Sequence, residues 1–199
     1  MEITFANQPS FDYGDLPDSD EPYGYTTLAE NDGAVHGILS DFHLGEAIDG
    51  ELDGQPHVNA TGDDVTGVPN DDDGIVFTSG LFPGSFATIQ ATVTHGDHSP
   101  GVLQGWIDFD RDGEFSTAGE QIVFNRELQE GSSPLSFYVP RWAATNNSYA
   151  RFRYGFEYGI SFNGPALAGE VEDYLVPIGT DPASGFPDRR RRRRHLKGI

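Results

Sequence analysis

Acidic side chains at alternate positions before a glycine are the clearest chemical feature of the sequence. Asp108, Asp110 and Asp112 precede Gly113, which is the spacing that lets calcium-binding loops bring three carboxylates onto one hard cation. The acid expected at the twelfth place of such a loop comes one residue late, at Glu120. Strand-like residues flank the loop, so we predict a calcium turn between strands, with a solvated acidic hairpin as the alternative.

A second group of acids stands in a strand-like stretch near the C-terminus. On a strand, Glu170 and Glu172 point to one face and Asp173 points to the other. Carboxylates on a covered face need a cation, an arginine or backbone N–H groups as partners. Arg151 and Arg153 share a face of another predicted strand, and two arginines opposite Glu170 and Glu172 would form a cross-strand ladder of structural ion pairs. Arginine pairing and metal ligation both remain open.

Two sets of residues are candidate metal ligands, and we expect calcium to be the ion in both cases. The main set is Asp108, Asp110, Asp112, Glu114, Glu120, Glu170, Glu172 and Asp173. A second acidic site is predicted in the Asp/Gly-rich loops of the N-terminal half, with Asp63, Asp64, Asp71, Asp72 and Asp73 as ligands. Solvated loops or a linker are the alternative there, because such composition also occurs in segments that bind no ion.

Motifs for catalysis are missing from the sequence. It contains no H-E-x-x-H pair, no G-x-S-x-G nucleophile, no Walker loop and no dinucleotide fingerprint. His95 and His98 could bind a transition metal, but a polar loop is the favoured interpretation. We predict a protein that is not an enzyme. A carbohydrate-binding or carbohydrate-active module is one alternative, because aromatic residues such as Trp142, Tyr149 and Tyr158 occur among many acids. A module for protein–protein assembly through an edge strand or an acidic face is the other.

Charge excludes several classes of partner. The sequence has 12 lysines and arginines against 32 aspartates and glutamates, a formal net charge of −20. Seven of the basic residues lie in the last eleven positions, so residues 1–188 alone carry −27. Such a body repels nucleic acid and anionic membranes and attracts cations. No apolar stretch is long enough to span a membrane, no cysteine is available for a disulfide, and no export leader is visible at the start.

Strand-like segments at short, regular spacing dominate the chain from Ile75 onward. Ile89, Ala91 and Val93, for example, alternate with polar residues, and clusters of Gly, Pro, Asn and Ser separate the segments. We predict an all-β antiparallel β-sandwich, jelly-roll-like or immunoglobulin-like, of about seven or more strands. The predicted organisation is an N-terminal extension (1–11), an acidic loop-rich segment packed on the sandwich (12–74), the sandwich (75–178), and a disordered linker with an arginine-rich tail (179–199).

Several short motifs recur along the chain in a characteristic order. They are Asp12-Tyr13-Gly14-Asp15, Gly62-Asp63-Asp64, Asp71 to Ile75, Gly105-Trp106-Ile107-Asp108-Phe109-Asp110, Ala150-Arg151-Phe152-Arg153-Tyr154 and Gly169-Glu170-Val171-Glu172-Asp173-Tyr174. Together they resemble the GEVED domain family, a module of large secreted and surface proteins of bacteria that is named for the last of these motifs. The resemblance covers about residues 12 to 178.

What this resemblance implies is an exported, non-catalytic β-sandwich module at the cell surface or outside the cell, with acidic loops that hold calcium. The resemblance implies no established ligand. We expect neighbouring domains or components of the cell surface or matrix, or a glycan, as partners, and neither nucleic acid nor a membrane span. The chain departs from the family at Leu16, Asp73 and Asp110, where Ala, Glu and Asn are common. The two acids keep oxygen chemistry at these positions.

Overall fold

A computed structural model describes residues 11–18, 24–62 and 71–180. Most of the predicted N-terminal extension, nearly all of the C-terminal linker with its arginine-rich tail, and the candidate ligands Asp63 and Asp64 lie outside these ranges. Within them the chain forms short strands up to Phe77 and, apart from the two-residue β10, long strands from Phe86 onward. The strands are β1 (Phe11–Tyr13), β2 (Val35–Gly37), β3 (His43–Leu44), β4 (Ile75–Phe77), β5 (Phe86–Thr94), β6 (Gly101–Ile107), β7 (Gln121–Leu128), β8 (Gly131–Tyr138), β9 (Asn146–Gly155), β10 (Pro165–Ala166) and β11 (Gly169–Ile178).

Two antiparallel sheets form the sandwich. One has the strand order β11-β9-β6-β7; in the other, β5 is central, with β8 along one edge and the short strands β3 and β4 along the other. A third, small sheet joins β1, β2 and β10, and its β2–β10 pair is parallel. The predicted all-β antiparallel sandwich is confirmed.

Alternation along the strands builds the core between the two sheets. On β5, Ile89, Ala91 and Val93 are buried as predicted, and they meet Phe152 and Tyr154 of β9 in one apolar cluster. A second, smaller cluster lies on the other side of the β9 sheet, where the loop segments of residues 11–62 cover it. Its buried members are Leu16, Tyr25, Ala60, Trp106 and Phe115. The sheet of β9 and β11 is therefore covered on both faces.

The last strand, β11, lies at the edge of its sheet and pairs with β9 along its length, from Gly169 opposite Gly155 to Ile178 opposite Asn146. At its end, Ile178 also forms an isolated parallel bridge with Leu81. Side-chain carboxylates occupy the other edge of β11: the Val171 N–H donates to Asp12 Oδ2 at 2.6 Å and the Asp173 N–H donates to Asp72 Oδ1 at 2.9 Å. Beyond them stands Pro177, which has no N–H to offer. This edge is thus closed without a further long strand.

Candidate functional site

The loop after β6 wraps its backbone around the carboxylate of Asp108. Asp108 is fully buried, and its Oδ1 accepts hydrogen bonds from the N–H groups of Arg111 at 2.5 Å and Asp112 at 3.3 Å. Its Oδ2 accepts from the Gly113 N–H at 3.1 Å and from the Tyr25 hydroxyl. Gly113 has φ 89°, a left-handed conformation that glycine adopts without strain. The predicted turn at this glycine is present, and Asp108 organises it.

Glu120 joins this loop from its far end. Its Oε1 accepts from the Phe109 N–H at 2.9 Å, and its Oε2 accepts from the Thr117 N–H at 3.0 Å. One carboxylate oxygen from each of Asp108, Asp110 and Glu120 lies within 4.8 Å of the others. Asp108 and Glu120 are buried and Asp110 is exposed. We call these three residues the turn cluster.

Burial and mutual repulsion raise the affinity of the turn cluster for protons. Burial, with the nearby charge of Asp108 as the next cause, raises the pKa of Glu120 to about 8. Burial also raises the pKa of Asp108, against the hydrogen bond from Tyr25. At neutral pH the cluster therefore favours either a bound proton or a bound cation over bare negative charge.

A second cluster lies where the N-terminal segments meet the start of β11. Asp12, Asp71 and Glu170 come from three distant parts of the chain, all three are buried, and one oxygen from each lies within 4.8 Å of the others. Asp71 also forms such a group with Asp49 and Glu51. We call these five residues the junction cluster. It brings carboxylates from β1, two loops and β11 into one small volume.

Backbone hydrogen bonds hold the carboxylates of the junction cluster in place. Glu170 Oε2 accepts from the Leu44 N–H at 2.5 Å, Asp71 Oδ2 accepts from the Asp49 N–H at 3.2 Å, and Glu51 Oε2 accepts from the Tyr13 N–H at 3.1 Å. Burial raises the pKa of Glu170 well above its ordinary value, and the charges of Glu172, Asp12 and Asp71 add to the shift. The positions of these oxygens are thus fixed by β3, β1 and the loops rather than by flexible side chains.

Asp173 has a different partner, on the opposite face of β11. It makes a two-pronged ion pair with Arg151, with Nε to Oδ1 and Nη2 to Oδ2 both at 2.8 Å, and both side chains are buried. The Asp15 N–H also donates to Asp173 Oδ2 at 2.8 Å. A Cβ added to Gly14 would lie 2.3 Å from that oxygen, so only glycine allows the chain to approach the pair so closely.

The cross-strand ladder of Arg151 and Arg153 with Glu170 and Glu172 does not form. Residues at even and odd positions of β9 and β11 face opposite sides, so the two glutamates share a face with Phe152 and Tyr154, away from the arginines. Arg153 instead donates to His36 Nε2 at 3.0 Å and to several backbone carbonyl oxygens. Of the two predicted arginines, Arg151 forms an ion pair, and its partner is Asp173.

Both glutamates accept hydrogen bonds from backbone N–H groups instead of pairing with the arginines. Glu172 Oε1 accepts from the Gly74 N–H at 2.6 Å, and its Oε2 accepts from the Tyr174 hydroxyl at 2.8 Å. Burial raises the pKa of Glu172 to about 8. Each acid of the motif in β11 therefore fixes a different part of residues 11–74: Glu170 fixes β3, Glu172 fixes the start of β4, and Asp173 fixes the segment after β1.

The structure divides the predicted ligand set. Asp108, Asp110 and Glu120 come together, whereas Glu170 lies in the junction cluster and Asp173 binds Arg151. Asp112 and Glu114 fall outside the three-carboxylate groups of the described residues; Asp112 Oδ1 accepts from the Glu114 N–H. Of the second predicted site, Asp71 joins the junction cluster, Asp72 accepts from β11, and Asp73 Oδ1 accepts from the Glu46 N–H at 2.8 Å.

Sequence reasoning missed Asp12, Asp49 and Glu51 as members of a carboxylate cluster. Their one signal was the recurrence of acids beside glycines in Asp12-Tyr13-Gly14-Asp15 and Asp49-Gly50-Glu51, which is equally typical of solvated turns. Tyr25 was also missed. Its hydroxyl bonds to Asp108, although the two residues are 83 positions apart in the chain.

Comparison with known proteins gives one match. Residues 102–177 match the family model described as the GEVED domain. No curated protein and no solved structure matches the chain. Within the described ranges, none of the helical structure has the length and apolar character needed to cross a bilayer.

Proposed function

We propose that the chain, whose residues 102–177 match the GEVED domain, is a non-catalytic, calcium-stabilised module of a larger exported bacterial protein, with a structural or adhesive role. The observation that carries the calcium part is the junction cluster, in which buried carboxylates from separate segments converge. Cation binding there would join the N-terminal loops to β11.

The donor set fits a hard cation. Both clusters offer only carboxylate oxygens, without sulfur or imidazole, and calcium binds such oxygens at about 2.3–2.6 Å. Two ligands on opposite sides of one calcium ion are then about 5 Å apart. Oxygens that all lie within 4.8 Å of one another meet this condition. Magnesium fits less well, because it keeps several waters and a strict octahedral geometry.

Calcium would stabilise the fold by replacing protons and relieving repulsion. The free energy of binding to a site that exists only in the folded state is added to the free energy of unfolding. At a calcium concentration a hundredfold above Kd, the gain is about 2.7 kcal/mol per site. Calcium sites of extracellular modules are weak, with Kd on the order of 10⁻⁴–10⁻³ M, so such a site would be filled outside the cell.

The burial of the acids supports a role without catalysis. General acids and bases must reach a substrate, within hydrogen-bond distance or through one water. Asp108, Glu120, Glu170 and Glu172 are each at most 1% exposed. Their bonds to backbone N–H groups suit them to hold loops and cations rather than to transfer protons to a substrate.

Thermal unfolding with calcium and with chelator tests the proposal. We expect calcium to raise Tm, and we expect Asp110→Ala to lose the part of this rise that comes from the turn cluster. Asp110 is exposed, so its truncation should change Tm in chelator very little. Metal content of the purified protein, measured by mass spectrometry, gives the number of ions bound.

Glu114→Ala is the matched control, because Glu114 is an exposed acid of the same loop outside the cluster. It should keep the full response to calcium. Identical unfolding curves of the wild-type protein in calcium and in chelator, with no bound metal, would contradict the calcium proposal.

A further inference from the structure

The outer face of the second sheet has no charged side chain over the span from Phe86 to Thr92. On β5, Thr88, Gln90 and Thr92 point outward, away from the buried Ile89 and Ala91. Their cross-strand neighbours on β8 are Ser136, Pro134 and Ser132, and β4 adds Val76 beside Gln90. We call this surface the hydroxyl face. The charged residues that flank β8 in the sequence, Glu130 and Arg141, lie beyond the two ends of the strand.

The hydroxyl face is built from parts of the chain that are poor in acids. Residues 1–188 carry −27, but residues 75–107 contain one acid, Asp97, and residues 131–156 contain none. Natural sheets commonly place charges on a solvated face, which raises solubility and discourages association. The absence of charge from the outward positions of this span therefore suits contact with a partner that is itself uncharged.

Side-chain hydrogen bonds organise the hydroxyl face. Thr78 Oγ1 and Thr88 Oγ1 are 2.8 Å apart, Gln90 Nε2 donates to Ser132 Oγ at 2.7 Å, and Thr92 Oγ1 lies 3.1 Å from the same oxygen. Hydroxyl groups both donate and accept, so a fixed network of them can match the hydroxyl groups of another molecule. The span on β5 is roughly 20 Å long at about 3.3 Å per residue.

An aromatic pair marks one end of the face. Phe86 and Tyr138 are cross-strand neighbours with ring centroids 5.5 Å apart, and their side chains are 74% and 41% exposed. Exposed aromatic rings beside polar groups are typical of binding surfaces. The apolar C–H face of a sugar ring can pack on such a ring while its hydroxyls reach the polar side chains.

We propose that the hydroxyl face binds a neutral polysaccharide, with Phe86 and Tyr138 as the platform for a sugar ring and Gln90, Ser132 and Ser136 among its polar contacts. The charge of the body favours this occupant: an anionic polymer would be repelled, and two copies of so acidic a chain repel each other. The proposal deepens the adhesive part of the proposed function and is independent of its calcium part.

Binding of the purified protein to cellulose, soluble β-glucan, mannan and xylan, measured by depletion and by affinity electrophoresis in calcium buffer, tests the proposal. Alginate serves as the anionic comparison. We expect at least one neutral polysaccharide to bind and alginate not to bind. Phe86→Ala should weaken binding by about tenfold or more, since exposed aromatic anchors dominate such surfaces. Ser136→Glu should do the same by placing a charge on the face.

Both positions are exposed, so these variants should fold, which thermal unfolding checks. Trp142→Ala is the matched control: Trp142 is 48% exposed, but it follows β8 and its ring contacts Phe109. It should bind like the wild type. Calcium-dependent Tm on the same samples separates the two proposals, because a loss of sugar binding with a normal calcium response leaves the calcium proposal standing.

Three results would overturn the polysaccharide proposal. The first is a lack of binding to every neutral polysaccharide, and the second is binding that survives in both Phe86→Ala and Ser136→Glu. The third is a wild-type dimer in sedimentation that Ser136→Glu converts to a monomer, because the hydroxyl face would then be an interface between copies of this chain.

Discussion

Glu170 is the residue at which the roles of metal ligand and structural acceptor can be separated. It belongs to the junction cluster and also accepts from the Leu44 N–H. Burial and the nearby carboxylates raise its pKa well above its ordinary value, which favours the protonated form when no cation is bound. A protonated glutamate and a glutamine are alike in shape and charge, so a glutamine should replace it in the metal-free state.

Glu170→Gln should therefore unfold in chelator at a Tm equal to or above that of the wild type. In calcium it should lose most of the rise that the junction cluster contributes, because an amide oxygen is a weaker ligand than a carboxylate. Thermal unfolding in both buffers measures this. A fall in Tm of similar size in both buffers would assign Glu170 a structural role only.

The ion pair of Arg151 with Asp173 shows how far the partner of a single charged residue can be predicted from the sequence. That charged residues in these strands need partners follows from their burial, but Arg151 pairs with Asp173 rather than with the expected Glu170 or Glu172. The acid that pairs with Arg151 depends on which face of β11 lies against the N-terminal loops. Alternation along a strand assigns side chains to faces but does not predict which segment covers each face. Asp15 and Leu16, whose N–H groups complete the shell around Asp173, lie more than 150 positions away along the chain.

At the scale of the element, β11 is an edge strand that is closed by side chains. Free N–H groups on an edge invite pairing with another chain. Here Asp12 and Asp72 accept from the outward N–H groups of Val171 and Asp173. Acids in and around this strand therefore protect its edge as well as hold neighbouring loops.

Asp72→Ala should leave the N–H of Asp173 without its acceptor. This should lower the free energy of unfolding by about 1–3 kcal/mol, which is the cost of a buried donor without its partner. We also expect more association at high protein concentration, seen by light scattering. Asp72→Asn keeps an acceptor oxygen and should lie closer to the wild type. Equal stability of Asp72→Ala and the wild type in chemical denaturation would contradict this role for the edge.

Elements with a regular period were the predictable part of the fold. The buried face of β5 follows from alternation, and the turn after β6 follows from Asp108 and Gly113. Residues 11–18 and 24–62 have no such period, and their structure depends on hydrogen bonds to β9 and β11 rather than on their own pattern. The junction cluster could not be predicted for this reason: its carboxylates converge only after the loops are in place.

On the scale of the whole molecule, the matched family region is smaller than the folding unit. Residues 102–177 include β9 and β11 but lack β5, the central strand of the second sheet. They also lack the loops that supply the Thr26 and Val35 carbonyls to the buried Arg151 and Arg153. Without these parts the apolar core between the two sheets would be exposed to water. The buried guanidinium groups of Arg151 and Arg153 would also lose carbonyl acceptors.

A fragment of residues 102–177 should therefore fail to fold, and one of residues 11–180 should unfold cooperatively. Circular dichroism during heating distinguishes the two. Both fragments contain the complete motif in β11, so the comparison tests the contribution of the preceding segments. A cooperative transition in the shorter fragment would show that β4, β5 and the N-terminal loops are dispensable for folding.

Stability should depend on pH and calcium together. Without calcium, folded Glu120 and Glu172 titrate at about 8, whereas unfolded glutamates titrate near 4.3. The folded state then binds more protons between these values. Its stabilisation by those protons is complete below the lower pKa and is lost as pH rises toward 8, by about 1.4 kcal/mol per pH unit for each group.

Buried His36 acts with the opposite sign, because burial lowers its pKa and the unfolded state binds the proton below about pH 6.5. Chemical denaturation between about pH 6.5 and 8 avoids most of that contribution. We expect the free energy of unfolding to fall with pH in chelator, and to fall less in calcium, which replaces the proton on Glu120. Glu120→Gln should have a shallower slope in chelator. A slope of zero for the wild type in chelator would contradict the raised pKa values.

The bonds that β11 makes to the front of the chain also set the order in which the protein can fold. The Asp15 N–H to Asp173 bond spans 158 positions and the Leu44 N–H to Glu170 bond spans 126. A ribosome delivers β11 after the other strands, so the bonds that join Asp15 and Leu44 to it form only when synthesis of the domain is almost complete. Such long-range contacts make folding slow. On the proposal that the protein is exported, this delay would keep the nascent chain from reaching its final fold while it passes through a secretion channel that admits only unfolded polypeptides.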